Sequence, residues 1–214
     1  MQVSAEIRWF WPDQPPEGLQ DWFVDSYEGG CAAGGGLDSP RLDIYLLDPG
    51  QTELGLKVRN AGAGNQGVEV KGLVENVCGT VSIDPFTGPI QLWTKWSSKP
   101  LQISAAHSIG IKKQRWLRKF DTGSGQPTEI PLNGAEKPID GFYPASGCNV
   151  ELTRITLPTQ EIWWTLGFEA FGSTIVGLGD SVSATAGVLA GRGAPSIENG
   201  KILSYPEWLN GLGK

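Results

Sequence analysis

The chain has 214 residues, 39% of them hydrophobic and nine of them Trp, which supplies a real core and excludes a disordered segment. Lys and Arg number 17 against 23 Asp and Glu, a formal charge of −6. That balance excludes a broad nucleic-acid-binding surface and leaves room only for a local basic cleft.

Thirty Gly and fifteen Pro imply many turns and a strand-rich fold. No apolar run reaches the ~18 residues of a membrane-spanning helix. The opening MQVSAEIRWFW lacks a basic lead-in followed by an apolar core, so no secretory leader and no membrane partner are expected. Cys31, Cys78 and Cys148 are odd in number and widely spaced; they fit neither a disulfide framework nor a zinc site, and a reduced cytoplasmic location is the expectation.

In chain order, Val3, Ala5, Ile7 and Trp9 alternate with Ser4, Glu6, Arg8 and Phe10, predicting a first strand ended by Pro12. Residues 17–27 place Leu19, Trp22 and Phe23 at helical spacing, a short amphipathic helix. The Gly-rich stretch 28–36 lacks the GK[ST] ending of a phosphate-binding loop and reads as a connection. RLDIYLL, residues 41–47, is a second strand before the Asp48-Pro49-Gly50 turn.

Residues 53–74 show the plan most clearly. Leu54, Leu56 and Val58 share one face with Lys57 and Arg59 opposite; after a Gly/Asn-rich turn, Val68 and Val70 share a face with Glu69 and Lys71 opposite. This is the pattern of an antiparallel hairpin. Residues 77–83 predict a further short strand, 90–97 another, and the basic stretch 109–120 a long one. Residues 121–138 read as loop. Residues 150–157 and 162–171 form a second antiparallel pair around Pro158-Thr159. Residues 173–189 are helix-like, and a last helical turn follows Pro206. With no repeat, linker or change of composition, one domain over 1–214 is expected, its C-terminal helical segment starting near residue 173.

The alternate positions of these strands collect Glu6, Arg8, Lys57, Arg59, Glu69, Lys71, Lys95, Lys113, Arg115, Glu151 and Glu169. On an open sheet they would face water. If the sheet closes and helices cover its apolar face, they line a charged lumen.

At this point the chain resembles the CYTH, or triphosphate tunnel, superfamily. The resemblance rests on the order of RLDIYLL, LGLKVRN, VEVKGLV, VELTRI and WWTLGFEAFG, matching that family's K/R-x-R, x-x-K and acidic strand motifs over most of the chain. It implies a mainly β fold: a closed antiparallel eight-stranded tunnel barrel with a few flanking helices. It also implies a small phosphorylated anion as partner, gripped by Arg8, Lys57, Arg59, Lys71, Lys113 and Arg115. Glu6, Glu151 and Glu169 would hold Mg²⁺ or Mn²⁺ for metal-assisted hydrolysis of a triphosphate, with Glu69 a further possible ligand and no general base assignable. The physics agrees, since guanidinium and ammonium groups in a narrow lumen bind a phosphate chain better than surface charges do.

The family's E-x-E-x-K signature reads Ser4, Glu6, Arg8 here, and its last-strand E-x-E reads Gly167, Glu169. Two alternatives therefore stand beside the hydrolase: a catalytically silent polyanion-binding or interaction barrel, and a β-sandwich carbohydrate-binding module suggested by the Trp content. Other readings also stay open. Glu6 and Arg8 could be a structural ion pair, and Arg118 competes with Lys113 and Arg115 for the inward face, because a one-residue slip reverses every side chain. His107 and Cys148 are read as loop and turn residues without chemistry, and the strand Trp residues as core.

Overall fold

Eight strands carry the period-two pattern in the computed structural model, which describes residues 2–25, 33–34, 40–48, 50–62, 67–98 and 107–212. They are β1 (Gln2–Pro12), β2 (Arg41–Leu46), β3 (Leu54–Arg59), β4 (Gly67–Ile83), β5 (Phe86–Ser98), β6 (Ser108–Asp121), β7 (Gly147–Thr156) and β8 (Ile162–Gly172). Each pairs antiparallel with its neighbours in the order β1-β5-β4-β3-β2-β6-β7-β8. β8 then returns to β1, from Val3 opposite Gly172 to Pro12 opposite Trp163. Closure satisfies both edges of the sheet, where an open sandwich would leave them bare. The result is the expected closed eight-stranded antiparallel barrel.

Two expected elements merge. The piece at 77–83 is the far half of β4, joined to the hairpin strand through register shifts between Leu73 and Glu75 and between Glu75 and Gly79. Such bulges bend a strand while keeping it paired. The hairpin turn (63–66), most of the Gly-rich stretch and Cys31 lie outside the described residues.

Among the described residues two helices cover one side of the outer face. Helix α1 (Leu19–Val24) and helix α2 (Leu178–Ala190) pack against Ile7, Trp9, Phe120, Val150, Leu166 and Phe168. Fully burying each such side chain contributes roughly 1.5–3 kcal/mol. Both helices are shorter than the sequence pattern predicts, because each begins after a glycine in the left-handed region, Gly18 (φ 74°) and Gly177 (φ 78°). Cys148 is a buried strand residue packed in this core, not a turn residue; burial pushes its thiol up to about 12. Among the described residues no helix covers the whole apolar face of β3 and β4, where Val68 is nonetheless buried. Leu54 is 47% exposed, and Leu56, Val58 and Val70 are half-buried.

Arg118 settles the register of β6. It points outward, is 1% exposed, donates to the Phe23 carbonyl at the end of α1 and pairs with Glu129 at 2.6 Å. Lys113 and Arg115 therefore face inward. The third helix, α3 (Tyr205–Gly211), starts from a capping box in which Ser204 and Glu207 satisfy each other's backbone N–H groups, with Pro206 in its first turn. It inserts Trp208 and Leu209 among Phe10, Ile111 and Ile155, the inward residues at one end of the barrel. Trp208 stacks on Phe10 at 5.2 Å, so that end is filled by a packed aromatic plug. No helix among the described residues is long and apolar enough to cross a membrane.

Candidate functional site

The strand alternation that buries Ile7 and Val150 outside sends the charged residues inward. They surround a cavity of about 490 Å³. Among the described residues nine of fifteen Lys and Arg line it, and six of twenty-one Asp and Glu do. All nine residues singled out above, Arg8, Lys57, Arg59, Lys71, Lys113, Arg115, Glu6, Glu151 and Glu169, lie on this wall.

They form three groups. In the first, Glu151 sits between two guanidiniums: Arg115 Nη1 is 2.7 Å from its Oε1 and Arg8 Nη2 is 3.3 Å from its Oε2. Burial pushes the Glu151 carboxyl up, but Arg115 and then Arg8 outweigh it and hold it well below the usual carboxylate range. Arg8 also donates to Thr165 Oγ1 at 2.9 Å. Its guanidinium lies against the backbone of Gly167, where a Cβ would come within 2.4 Å of Arg8 Cζ. The space that a side chain at Gly167 would take is thus filled by Arg8.

In the second group, Glu6 and Glu169 stand directly opposite each other across β1 and β8. Like charges so placed repel. Lys71 answers Glu6, and Lys95 lies 3.8 Å from Glu169. Burial raises the Glu169 carboxyl, but Lys71 and Lys95 bring it below its ordinary value. On the other side of Glu169, across β7, stands Asn149, whose buried Oδ1 accepts no hydrogen bond in the structure.

In the third group, Glu69 bridges Lys57 at 2.8 Å and Arg59 at 3.2 Å; these cations, with Lys95, outweigh burial and lower its carboxyl. Lys113 lies apart from Glu69. It donates to the Tyr45 hydroxyl at 2.6 Å and lies 3.7 Å from the centre of the Tyr205 ring, with the Asp43 carboxylate 3.9 Å away. Burial pushes its ammonium down to about 8 despite Tyr45 and Asp43.

Glu151 and Glu169 are two positions apart in the paired register, since Glu169 faces Asn149 and Glu151 faces Gly167. Glu6 and Glu169 stand opposite each other, while Glu151, two positions along and paired with Arg8, still raises the Glu169 carboxyl by its like charge. Among the described residues no group of three or more His, Cys, Asp and Glu gathers as a cation site. Sequence reading missed Arg41, Asp43 and Tyr45, although the alternation in RLDIYLL puts them on one face. It also missed Lys119, Asn149, Tyr205 and Glu136. The last two come from α3 and from the loop after β6, where no strand period announces them. His107 is an exposed turn residue, and Glu161 accepts from Thr159 in the β7–β8 turn, away from the lumen.

Compared with known proteins, the chain significantly matches no family model and no curated sequence. Fold and site together define a class: a closed eight-stranded antiparallel barrel whose lumen is lined by paired charges with basic residues in excess.

Proposed function

We propose that the lumen binds a small phosphorylated polyanion, a triphosphate or a related anion, and that the chain is a divergent relative of the triphosphate tunnel superfamily it resembles. The observation that carries this reading is the separation of charge. Among the described residues nine basic residues meet six acidic ones around the cavity, while six basic residues stand against fifteen acidic ones elsewhere. A basic well inside an acidic shell focuses field on its interior and excludes anions elsewhere. Arg8, Lys57, Arg59, Lys71, Lys113 and Arg115 sit at successive heights and offer charge-assisted donors to a chain of phosphates.

Glu6 and Glu169, with the free Oδ1 of Asn149 beside them, fit a hard divalent cation such as Mg²⁺ or Mn²⁺ once Lys71 and Lys95 turn to phosphate oxygens. Bound there, the ion would neutralise phosphate charge and polarise water for hydrolysis. Glu151 fits that role less well, because two guanidiniums already occupy its oxygens. The same pairing favours the second reading, a barrel that binds the anion without turning it over.

Titration calorimetry with tripolyphosphate in EDTA tests the binding. The expected result is a complex that weakens at least tenfold in Arg59→Ala; absence of binding by the wild-type protein refutes the reading. Phosphate release with Mg²⁺ or Mn²⁺ above that of an Arg59→Ala/Glu169→Ala double variant would place the protein among the hydrolases, and binding without release among the silent barrels.

A further inference from the structure

The barrel wall is incomplete beside β6. β2 pairs only with residues 108–113 of that strand. Above them its edge is met by the short pieces Ala33–Gly34, at Trp116 and Leu117, and Thr128–Glu129, at Phe120 and Asp121. The β6–β7 loop closes over this region, burying Ile130 and Leu132 against Leu117. It then makes a tight turn at 133–137. The Asn133 side-chain oxygen accepts from the N–H of Ala135 at 2.9 Å and of Lys137 at 3.2 Å, and the Asn133 N–H donates to the Lys137 carbonyl at 2.8 Å.

This turn holds Glu136 at φ 60°, a left-handed conformation that a non-glycine residue adopts at a cost. From there the Glu136 carboxylate enters the lumen and takes the fork of Arg115. Nε donates to Oε1 at 3.0 Å, and Nη2 donates to Oε2. Two parallel bonds from one guanidinium to one carboxylate are also the way an arginine grips a phosphate. Glu136 is the only carboxylate on the cavity wall that reaches it from the β6–β7 loop, so it can leave without disturbing a strand.

We propose that Glu136 is an internal stand-in for a phosphate group: it occupies Arg115 in the empty barrel and is displaced when the polyanion binds. Glu136 is thereby a specificity-determining residue. A ligand must offer Arg115 at least the negative charge of the carboxylate it expels, which selects phosphorylated anions over uncharged molecules. The inference rests on the polyanion reading of the lumen.

The test is tripolyphosphate titration of the wild-type protein, Glu136→Gln and Glu136→Gly, with hydrogen exchange read across 133–137. Gln keeps the size and loses the charge; Gly also relieves the left-handed backbone, so a folded variant is secured. The expected result is binding about tenfold tighter in both variants, the scale of one charge-assisted contact no longer broken, and faster exchange at 133–137 in the wild-type complex than in the empty protein. Affinity unchanged or weaker in both variants, with the wild type still binding, overturns the role of Glu136 and leaves the polyanion reading intact. Absence of binding in all three proteins overturns that reading and this inference with it.

Discussion

Glu151 is the carboxylate on which the lumen depends most, and replacing it with Gln is the sharpest test of the charge pairing. Its contacts at 2.7 Å to Arg115 and 3.3 Å to Arg8 correspond to gross attractions of roughly 6 and 5 kcal/mol at an effective dielectric of about 20. Much of that is offset by taking three charges out of water. What remains when one partner of a buried pair is removed is about 3–5 kcal/mol. Arg8 keeps Thr165 and Arg115 keeps Glu136, so the lower end applies. For a chain of this length each kcal/mol moves the melting temperature by roughly 2–4 °C, which predicts a fall of about 6–12 °C for Glu151→Gln. Calorimetry in a buffer free of phosphate and sulfate measures it. Adding tripolyphosphate supplies the missing counter-charge and should raise the melting temperature of the variant more than that of the wild type. A fall of less than about 2 °C, or equal stabilisation of both proteins by the anion, would refute the reasoning.

Gly167→Ala places a Cβ 2.4 Å from Arg8 Cζ; it should weaken tripolyphosphate binding severalfold with the fold retained, as judged by circular dichroism and titration. Lys113, with its ammonium near 8, is cationic below that pH and neutral above it. Anion affinity should therefore fall as pH rises from 7 to 9, and this component of the fall should be absent in Lys113→Met, measured side by side. Because the folded value lies below the ordinary 10.5, the folded state binds fewer protons between the two, and stability from this residue rises with pH across that window. Glu69, Glu151 and Glu169 are all lowered in the fold. Their stabilisation is present above the ordinary carboxylate range and is lost as pH falls through their folded values, so acid titration of ellipticity should show unfolding that begins below about pH 4.5. Trp208→Ala empties the plug at the α3 end and should cost about 3–5 kcal/mol of stability, read from urea denaturation.

The barrel was legible because period two is a local signal. Each of Glu6, Arg8, Lys57, Lys71, Lys113 and Glu169 needed only its neighbours at i±1 to reveal a face, and the opposite faces were apolar enough to require burial. What could not be read were contacts made between elements. Nothing adjacent to Gly167 shows that Arg8, 159 positions away in sequence, fills its missing side chain. Nothing around Glu136 in a Pro- and Gly-rich loop marks it as the partner of Arg115. Arg118 could be separated from Lys113 and Arg115 only once α1 placed the Phe23 carbonyl over it. The partial exposure of the outer face of β3, with Leu54 in water, escaped for the converse reason. Alternation says that a face is apolar, not which element covers it.

Nine cations around one cavity would repel one another if left bare. The carboxylates answer this in two different ways. Glu69, Glu151 and Glu136 each lie between or against guanidinium and ammonium groups; they are counter-ions to the cations of the lumen. Glu6 and Glu169 are different, because they face each other and so add a repulsion that neutralising Lys71 and Lys95 did not require. A like-charged pair flanked by a buried, unpartnered amide oxygen is costly in the empty barrel and favourable around a cation. If metal chemistry belongs to this lumen, it belongs to Glu6, Glu169 and Asn149, while Glu151 serves the arginines. The two assignments separate in one comparison. Glu169→Gln should abolish any stabilisation of the tripolyphosphate complex by Mn²⁺ while sparing binding in EDTA, whereas Glu151→Gln should change the binding in EDTA and leave the Mn²⁺ increment in place.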